Sequence, residues 1–290
     1  MSTNFNERHW TSRDGLRLYA RDYPAAVAEA LLPVICLHGL TRNSKDFEDV
    51  APVIAGWGRR VIVPDVRGRG QSDRDSNPKN YRPPIYARDV LEMTAAFDVP
   101  RAVFLGTSMG GIITMTLAAL RPKAIAAAIL NDVGPSIAPE GVARILSYAG
   151  KPVEIRSWED AADYVRRTNL VAFPDYGADE WRRLASRTFR DENGVPRLDY
   201  DPAIAVPLGK PPGKAALWIA ALLFRRLARR RPTLLIRGEL SDVITADLAA
   251  RMRRSAPGLQ TCVVPDVGHA PMLTEPVAID AIGHFLRTVP

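Results

Sequence analysis

Short apolar runs alternate with segments of helical periodicity along most of the chain. Two polar–apolar alternations, residues 8–11 and 16–23, flank a turn at 13–15 and predict an antiparallel hairpin. Further on, the runs become continuously apolar, as is typical of strands buried on both faces of a parallel sheet. These runs are residues 32–37, 60–64, 102–105, 124–130, 233–236 and 261–264. Because helical patterns separate them, the sequence predicts an α/β fold with a mostly parallel eight-stranded sheet and helices on both faces.

The strand rhythm stops between residues 134 and 231. Helical patterns continue there, and Pro/Gly-rich connections at 173–177 and 201–213 interrupt them. We therefore predict a core of residues 1–133 and 232–290, with residues 134–231 inserted as a helical lid. Such a lid would cover the carboxyl edge of the sheet, where ligands bind in open α/β folds.

Charge and composition limit the classes of partner. The chain has 290 residues and a net charge of +7, but its 39 basic residues are mixed with 32 acidic ones. The one dense basic run, 225–231, ends a predicted helix, where cations complement the helix dipole. We therefore expect a small-molecule substrate, no nucleic-acid partner, and a monomer or homodimer.

Neither a membrane span nor a metal site is predicted. The first ten residues are polar, and the longest apolar helical run, 217–224, is far shorter than the ~20 residues that a span needs. We expect a cytoplasmic protein without a membrane partner. Cys36 and Cys262 each lie in a strand-like run, and no His/Cys cluster has the spacing of metal ligands, so no structural metal is expected.

A candidate nucleophile follows the strand at 102–105. Gly106-Thr107-Ser108-Met109-Gly110 matches G-x-S-x-G and stands between a predicted strand and a predicted helix. The sharp turn at such a site requires small residues two positions before and after the serine. The helix amino terminus behind it favours developing negative charge.

A serine nucleophile needs a histidine base and a carboxylate that orients the base. Of the four histidines, His9 and His38 precede the nucleophile and His284 lies in the last predicted helix, so only His269, in the loop after the last predicted strand, fits by order and place. For the acid we favour Asp242, on the loop after strand 233–236. Glu239 on the same loop and Asp266 beside the histidine are the competitors.

Two backbone amides are predicted to form an oxyanion hole. One belongs to Met109, which follows the nucleophile, and the other to Leu40, in the loop after strand 32–37. His38, in that same loop, and Trp218, in the lid, are candidates for the wall of the substrate pocket.

These motifs together resemble the α/β-hydrolase superfamily. The residues that carry the resemblance are 38–40, the stretch Pro64-Asp65-Val66-Arg67-Gly68-Arg69-Gly70-Gln71-Ser72-Asp73, 106–110, 238–242 and 268–269. The PDxRGxGxSD stretch is typical of the esterase, lactonase and C–C-bond hydrolase branch. The resemblance implies a cofactor-free core with a helical cap, and a structural role for Asp65 and its glycines beside the oxyanion hole.

Three functions are consistent with these residues. The favoured one is a serine hydrolase that cleaves a carboxylic ester or lactone of a small-to-medium apolar substrate through an acyl-enzyme. The second is a C–C-bond hydrolase of aromatic ring-cleavage products, which a cationic group in the pocket would favour. The third is a binding or sensing protein that keeps the hydrolase fold as a ligand pocket.

Overall fold

The computed structural model describes residues 5–27, 31–208 and 213–290. Residues 1–4, at the predicted polar start, and 209–212, in the predicted connection 201–213, lie outside this description. Eight strands form the main sheet: β1 (Asn6–Thr11), β2 (Arg17–Tyr23), β3 (Val34–Leu37), β4 (Val61–Asp65), β5 (Ala102–Thr107), β6 (Ile125–Asn131), β9 (Thr233–Gly238) and β10 (Gln260–Val264).

The spatial order of the strands is β1-β2-β4-β3-β5-β6-β9-β10. β1 and β2 form the predicted antiparallel hairpin, and β2 pairs antiparallel with β4. All later pairs are parallel, and the central strands β3, β4 and β6 are buried along their whole length. The predicted fold class is confirmed.

Helices cover both faces of the sheet. The core helices are α1 (Val50–Gly56), α2 (Pro83–Ala96), α3 (Met109–Leu120), α8 (Ala246–Ser255) and α9 (Pro276–Arg287). One apolar cluster lies under α2, α3 and α8, and a second lies under α1 and α9. Because the central strands run parallel, the loops that follow them lie together at the carboxyl edge of the sheet.

In the described part of the segment between β6 and β9 lie four α-helices: α4 (Pro139–Tyr148), α5 (Trp158–Asn169), α6 (Ala178–Thr188) and α7 (Lys214–Ala228). Helices α5 and α6 have their own apolar cluster around Trp181 and Phe173. A short hairpin, β7 (Phe189–Glu192) with β8 (Val195–Leu198), follows α6 in the segment where the sequence pattern predicts helices and no strand. The last turns of α7 pack on the core, with Phe224 and Leu227 in the cluster under α3.

Helix length bears on membrane association. Among the residues that the structure describes, no helix combines the length and the apolarity needed to cross a membrane.

Candidate active site

Ser108 lies in the tight turn between β5 and α3. Its backbone has φ +51° and ψ −113°, a strained conformation for a residue with a side chain. The two flanking glycines permit the turn. A Cβ on Gly106 would lie 2.4 Å from the carbonyl carbon of Gly110, and a Cβ on Gly110 would lie 2.0 Å from the carbonyl oxygen of Leu37. The local sequence therefore presents the Ser108 hydroxyl at the carboxyl edge of the sheet.

His269 lies on the loop after β10 and reaches Ser108. Its Nε2 is 3.0 Å from Ser108 Oγ, and its side chain is only 8% exposed. The Gly268 amide donates to Ala172 O in the lid at 2.6 Å, which fixes the loop from the lid side. The structure thus brings together the two residues that the sequence analysis predicts as nucleophile and base.

The carboxylate that contacts His269 is Asp132, directly after β6. Asp132 Oδ2 lies 2.7 Å from His269 Nδ1, and Asp132 is 0% exposed. Ser241 Oγ donates to the same oxygen at 2.5 Å, and the Gly238 amide donates to Oδ1 at 3.2 Å. Three donors thus compensate this buried carboxylate for the loss of water, as burial of a charge requires.

The assignment of Asp242 as the acid is therefore corrected by the structure. Arg144, on α4, takes both carboxylate oxygens of Asp242, with Nε 2.6 Å from Oδ2 and Nη2 2.8 Å from Oδ1. Burial alone would raise the pKa of Asp242, but the hydrogen bonds and charge of Arg144 outweigh it and lower that pKa. The loop after β9 turns so that Ser241, and not Asp242, faces Asp132, the carboxylate that contacts His269.

The two competing carboxylates are also elsewhere. Glu239 and Asp266 are both exposed, and Glu239 Oε2 accepts from the Asp266 amide at 3.3 Å. Sequence reasoning missed Asp132 although one signal was available. Asp132 directly follows a buried strand and lies between Ser108 and His269 in chain order, as the predicted order of the triad requires.

A buried arginine holds the two segments of the predicted oxyanion hole. Arg69 Nε donates to Leu40 O at 2.9 Å, and Arg69 Nη2 lies 3.5 Å from Met109 Sδ. Met109 is the first residue of α3, where backbone amides have no carbonyl partner within the helix. Arg69, which sequence reasoning did not single out, is therefore a positioning residue for this part of the site.

The PDxRGxGxSD stretch builds the support behind that loop. Asp65 is buried and accepts from the amides of Ser44 at 2.6 Å and Gln71 at 2.9 Å. Burial raises the pKa of Asp65 to about 6. Gly70 has φ +52°, and a Cβ there would lie 2.1 Å from Asp65 Oδ2. Only glycine fits this close approach to the carboxylate.

His38 does not line the pocket, contrary to the prediction. It is fully buried, its Nδ1 lies 2.8 Å from Gly39 O, and its Nε2 accepts from the Val66 amide at 3.0 Å. These contacts require the neutral ring with the proton on Nδ1. Burial lowers the pKa of His38 to about 4, which matches a structural role.

A cavity lies over Ser108, between the sheet edge and the lid. Its floor is formed by residues 39–42, 107–108 and 269–273, and the lid contributes residues from α4 to α6 and β8. Trp218 is not among the lining residues and is 67% exposed on α7, so its assignment to the pocket wall is wrong. The first turns of α7 project away from the cavity into solvent.

Three tyrosines bring hydroxyl groups to the cavity: Tyr148, Tyr164 and Tyr200. Burial raises the pKa of both Tyr164 and Tyr200, so these hydroxyls remain protonated at neutral pH. The Tyr200 side chain is buried, and a hydrogen bond with the Gly150 backbone partly offsets the effect of burial on its pKa.

One cation also lines the cavity. Arg42 is next to the predicted oxyanion loop, but its guanidinium is already engaged. Nε lies 2.9 Å from Asp46 Oδ1, and Nη1 donates to Thr188 Oγ1 at 2.6 Å. The pair with Asp46 neutralises its charge, and the contact with Thr188 joins this loop to the lid.

Comparison with known proteins agrees with this architecture. The family model for the alpha/beta hydrolase fold matches residues 33–276. The chain is 36% identical over 257 residues to a 3-hydroxybutyrate-oligomer hydrolase of Cupriavidus necator, with 87% of each chain covered. It is 25% identical over 254 residues to a 2-(acetamidomethylene)succinate hydrolase of Mesorhizobium japonicum, again with 87% of each covered.

Among solved structures, an alpha/beta hydrolase from Novosphingobium aromaticivorans is similar over almost the whole length. It is 43% identical, with a TM-score of 0.89 and 98% of each chain covered. The match of the family model, the sequence relatives and this structural likeness lead to one conclusion. The chain is a hydrolase that belongs to the α/β-hydrolase family.

Proposed function

We propose that this hydrolase cleaves a carboxylic ester through an acyl-enzyme on Ser108, with His269 as base and Asp132 as the acid. The observation that carries the proposal is the hydrogen-bonded chain from Ser108 Oγ to His269 Nε2 at 3.0 Å and from His269 Nδ1 to Asp132 Oδ2 at 2.7 Å. This chain ends in a cavity, which gives a substrate carbonyl access to the serine.

The reaction has two steps. His269 Nε2 takes the proton as Ser108 Oγ attacks the carbonyl carbon, and Asp132 stabilises the resulting imidazolium. The amides of Leu40 and Met109 hold the oxyanion, and His269 returns the proton to the departing alcohol oxygen. A water then loses its proton to His269 and attacks the acyl carbon; the bond to Ser108 Oγ breaks, the carboxylic acid leaves, and His269 returns the proton to Ser108 Oγ.

For the substrate we propose a short oligoester of a hydroxy acid, with simple esters and lactones of similar size as poorer substrates. The similar protein of Cupriavidus necator is named for such an oligomer. The cavity has the matching chemistry, since apolar side chains such as Ile145 and Leu184 alternate with tyrosine hydroxyls. A chain of esters offers apolar carbons and repeated carbonyl acceptors, to which a protonated tyrosine hydroxyl of the cavity wall can donate.

One observation keeps C–C-bond hydrolysis as a second candidate. Arg42 lines the cavity, and a cation there would suit a substrate carboxylate. Its pairing with Asp46 and Thr188 leaves little of this charge for a ligand, so we favour the ester. Such a substrate would have to displace Asp46 from Arg42.

Turnover and active-site labelling test the proposal together. We would measure hydrolysis of p-nitrophenyl esters of rising chain length, of γ-lactones, and of linear 3-hydroxybutyrate dimer and trimer. A fluorophosphonate probe, which phosphonylates an activated serine, should label Ser108 and no labelling should occur in Ser108→Ala. The matched control is Ser186→Ala, which removes an exposed hydroxyl of α6 and should behave as wild type.

Each outcome assigns one function. Oligomer cleavage that is lost in Ser108→Ala and kept in Ser186→Ala supports the proposal. Labelling of Ser108 without ester or lactone turnover would direct the search to dienoic ring-cleavage products. Absence of labelling together with tight ligand binding would replace the enzyme by a binding or sensing protein.

A further inference from the structure

The outer face of α7 is apolar along its first turns and basic along its last. Leu217, Trp218, Ile219 and Leu222 are 43%, 67%, 49% and 49% exposed. Monomeric proteins rarely expose a contiguous group of large apolar side chains, and such a group marks a surface for interaction.

The apolar and basic groups lie on the same side of the helix. Trp218 and Leu222 are four residues apart, and Arg225 and Arg226 follow Leu222 at three and four residues, which places their side chains in one row. The opposite side of the helix carries the buried Phe224 and Leu227, which pack on the core. The exposed face is therefore not needed for the fold.

The charged residues in the sequence around α7 are all basic. Between Asp201 and Glu239 there are eight lysines and arginines and no acidic residue. Helix α3, against which α7 packs, has no charged residue at all. The exposed arginines at the end of α7 therefore have no acidic residue on α7 itself or on α3 to offset their charge.

We propose that the outer face of α7 binds the surface of an anionic lipid bilayer. The apolar side chains would enter the boundary of the acyl chains, and Arg225 and Arg226 would contact the anionic headgroups, as in other interfacial helices. The charge argues against a second copy of the chain, because pairing two such faces would bring cations together with no acid on either helix. Peripheral binding needs no membrane-spanning segment, so the lack of a spanning helix among the described residues does not oppose it.

The orientation of α7 relates this surface to the active site. The helix ends at Ala228, and β9 begins at Thr233, so the last turn of α7 lies at the amino edge of the sheet. A helix of 15 residues is about 22 Å long, similar to the length of the strands it crosses. Its first turns therefore lie toward the carboxyl edge, where Ser108 lies. Docking would bring the catalytic edge toward the lipid surface.

Co-sedimentation with vesicles tests the proposal on the full chain. Wild type should bind phosphatidylglycerol/phosphatidylcholine vesicles at low salt, bind phosphatidylcholine alone poorly, and dissociate at high salt. Trp218→Ser/Ile219→Ser should abolish binding. The control Val53→Ser/Val277→Ser changes one exposed apolar side chain on each of α1 and α9, which pack on the other face of the sheet, and should bind as wild type.

A second pair of variants tests the charge. Arg225→Gln/Arg226→Gln should weaken binding to anionic vesicles by about 20-fold, since each basic residue contributes roughly fivefold near such a surface. Arg253→Gln/Arg254→Gln, an exposed arginine pair on α8, should leave binding within about threefold of wild type if the α7 face makes the contact.

Several results would overturn the proposal. These are no binding to anionic vesicles, equal binding of the α7 variants and their controls, or a wild-type dimer in sedimentation that Trp218→Ser/Ile219→Ser dissociates. The last result would assign the face to a second copy of the chain. Turnover of a soluble ester should be unchanged in the α7 variants, so failure of this proposal and failure of the proposed function are distinguishable.

Discussion

The choice of carboxylate gives the sharpest test of the site. Asp132→Asn keeps the size of the side chain and removes the charge beside His269. Asp132 is fully buried, and its Oδ2 accepts from both His269 Nδ1 and Ser241 Oγ. If the new amide nitrogen faces the ring, His269 must hold its proton on Nε2 and can no longer accept one from Ser108. If the amide oxygen faces the ring, the imidazolium loses its counter-charge.

Either arrangement predicts a large loss of kcat. Replacement of the acid in a Ser-His-Asp triad by asparagine typically costs about 10⁴-fold in turnover, which corresponds to about 5.5 kcal/mol of transition-state stabilisation. We expect a loss of this order for Asp132→Asn, with KM changed little, because Asp132 does not line the cavity. Steady-state kinetics on a soluble p-nitrophenyl ester measure both constants.

Asp242→Asn is the matched control. It makes the same chemical change on the neighbouring loop, but at a carboxylate that pairs with Arg144 and is partly exposed. Because the Asp242 carboxylate accepts from Arg144 and contacts neither His269 nor Ser108, we expect kcat within about threefold of wild type. Near-normal turnover of Asp132→Asn, or an equal loss in Asp242→Asn, would refute the assignment. Circular dichroism of both variants checks that they fold.

Three further predictions concern the supports of the site. Ser241→Ala removes a hydrogen bond to Asp132, so kcat on a soluble ester should fall about tenfold while KM stays constant; a change confined to KM would contradict this. Burial lowers the pKa of His38 to about 4 from its ordinary 6.5, so the unfolded chain binds this proton first as the pH falls. The resulting stabilisation, about 3 kcal/mol, is complete above pH 6.5 and is lost as the pH falls toward 4. Urea unfolding of wild type and His38→Gln across this range should give a steeper pH dependence for wild type, and parallel profiles would contradict the prediction. Gly70→Ala should destabilise by about 3 kcal/mol or more, because its Cβ would lie 2.1 Å from a buried carboxylate oxygen. Gly15→Ala, also at positive φ but with no atom within 4 Å, should cost about 1 kcal/mol, and equal losses in urea unfolding would contradict the steric argument.

Features encoded by neighbouring residues were predictable from the sequence. Continuous apolar runs mark buried parallel strands, and the hairpin alternation marks β1 and β2, because these patterns follow from the burial of each strand's own faces. The turn at Ser108 was also predictable, since the glycines at 106 and 110 are required by contacts within a few residues of the serine and with the adjacent strand.

Contacts between distant segments were not predictable in the same way. Asp132, Glu239, Asp242 and Asp266 all follow strands that end at the same edge, so order and position along the chain do not distinguish them. The structure decides through side chains that come from elsewhere. Arg144 of the lid donates hydrogen bonds to the Asp242 carboxylate, and Ser241 points inward and donates a hydrogen bond to Asp132.

Trp218 shows the same division between local and tertiary information. Its helix was correctly predicted from periodicity, but whether a given turn faces a cavity or solvent depends on what packs against it. The sequence by itself thus determined the strands of the main sheet, the helices around them and the strained turn that presents Ser108, but not the β7–β8 hairpin. Only the tertiary structure decided which carboxylate reaches His269 and which aromatic side chains enclose the cavity, because those contacts depend on loop conformations and on the docking of the lid, which no local pattern encodes.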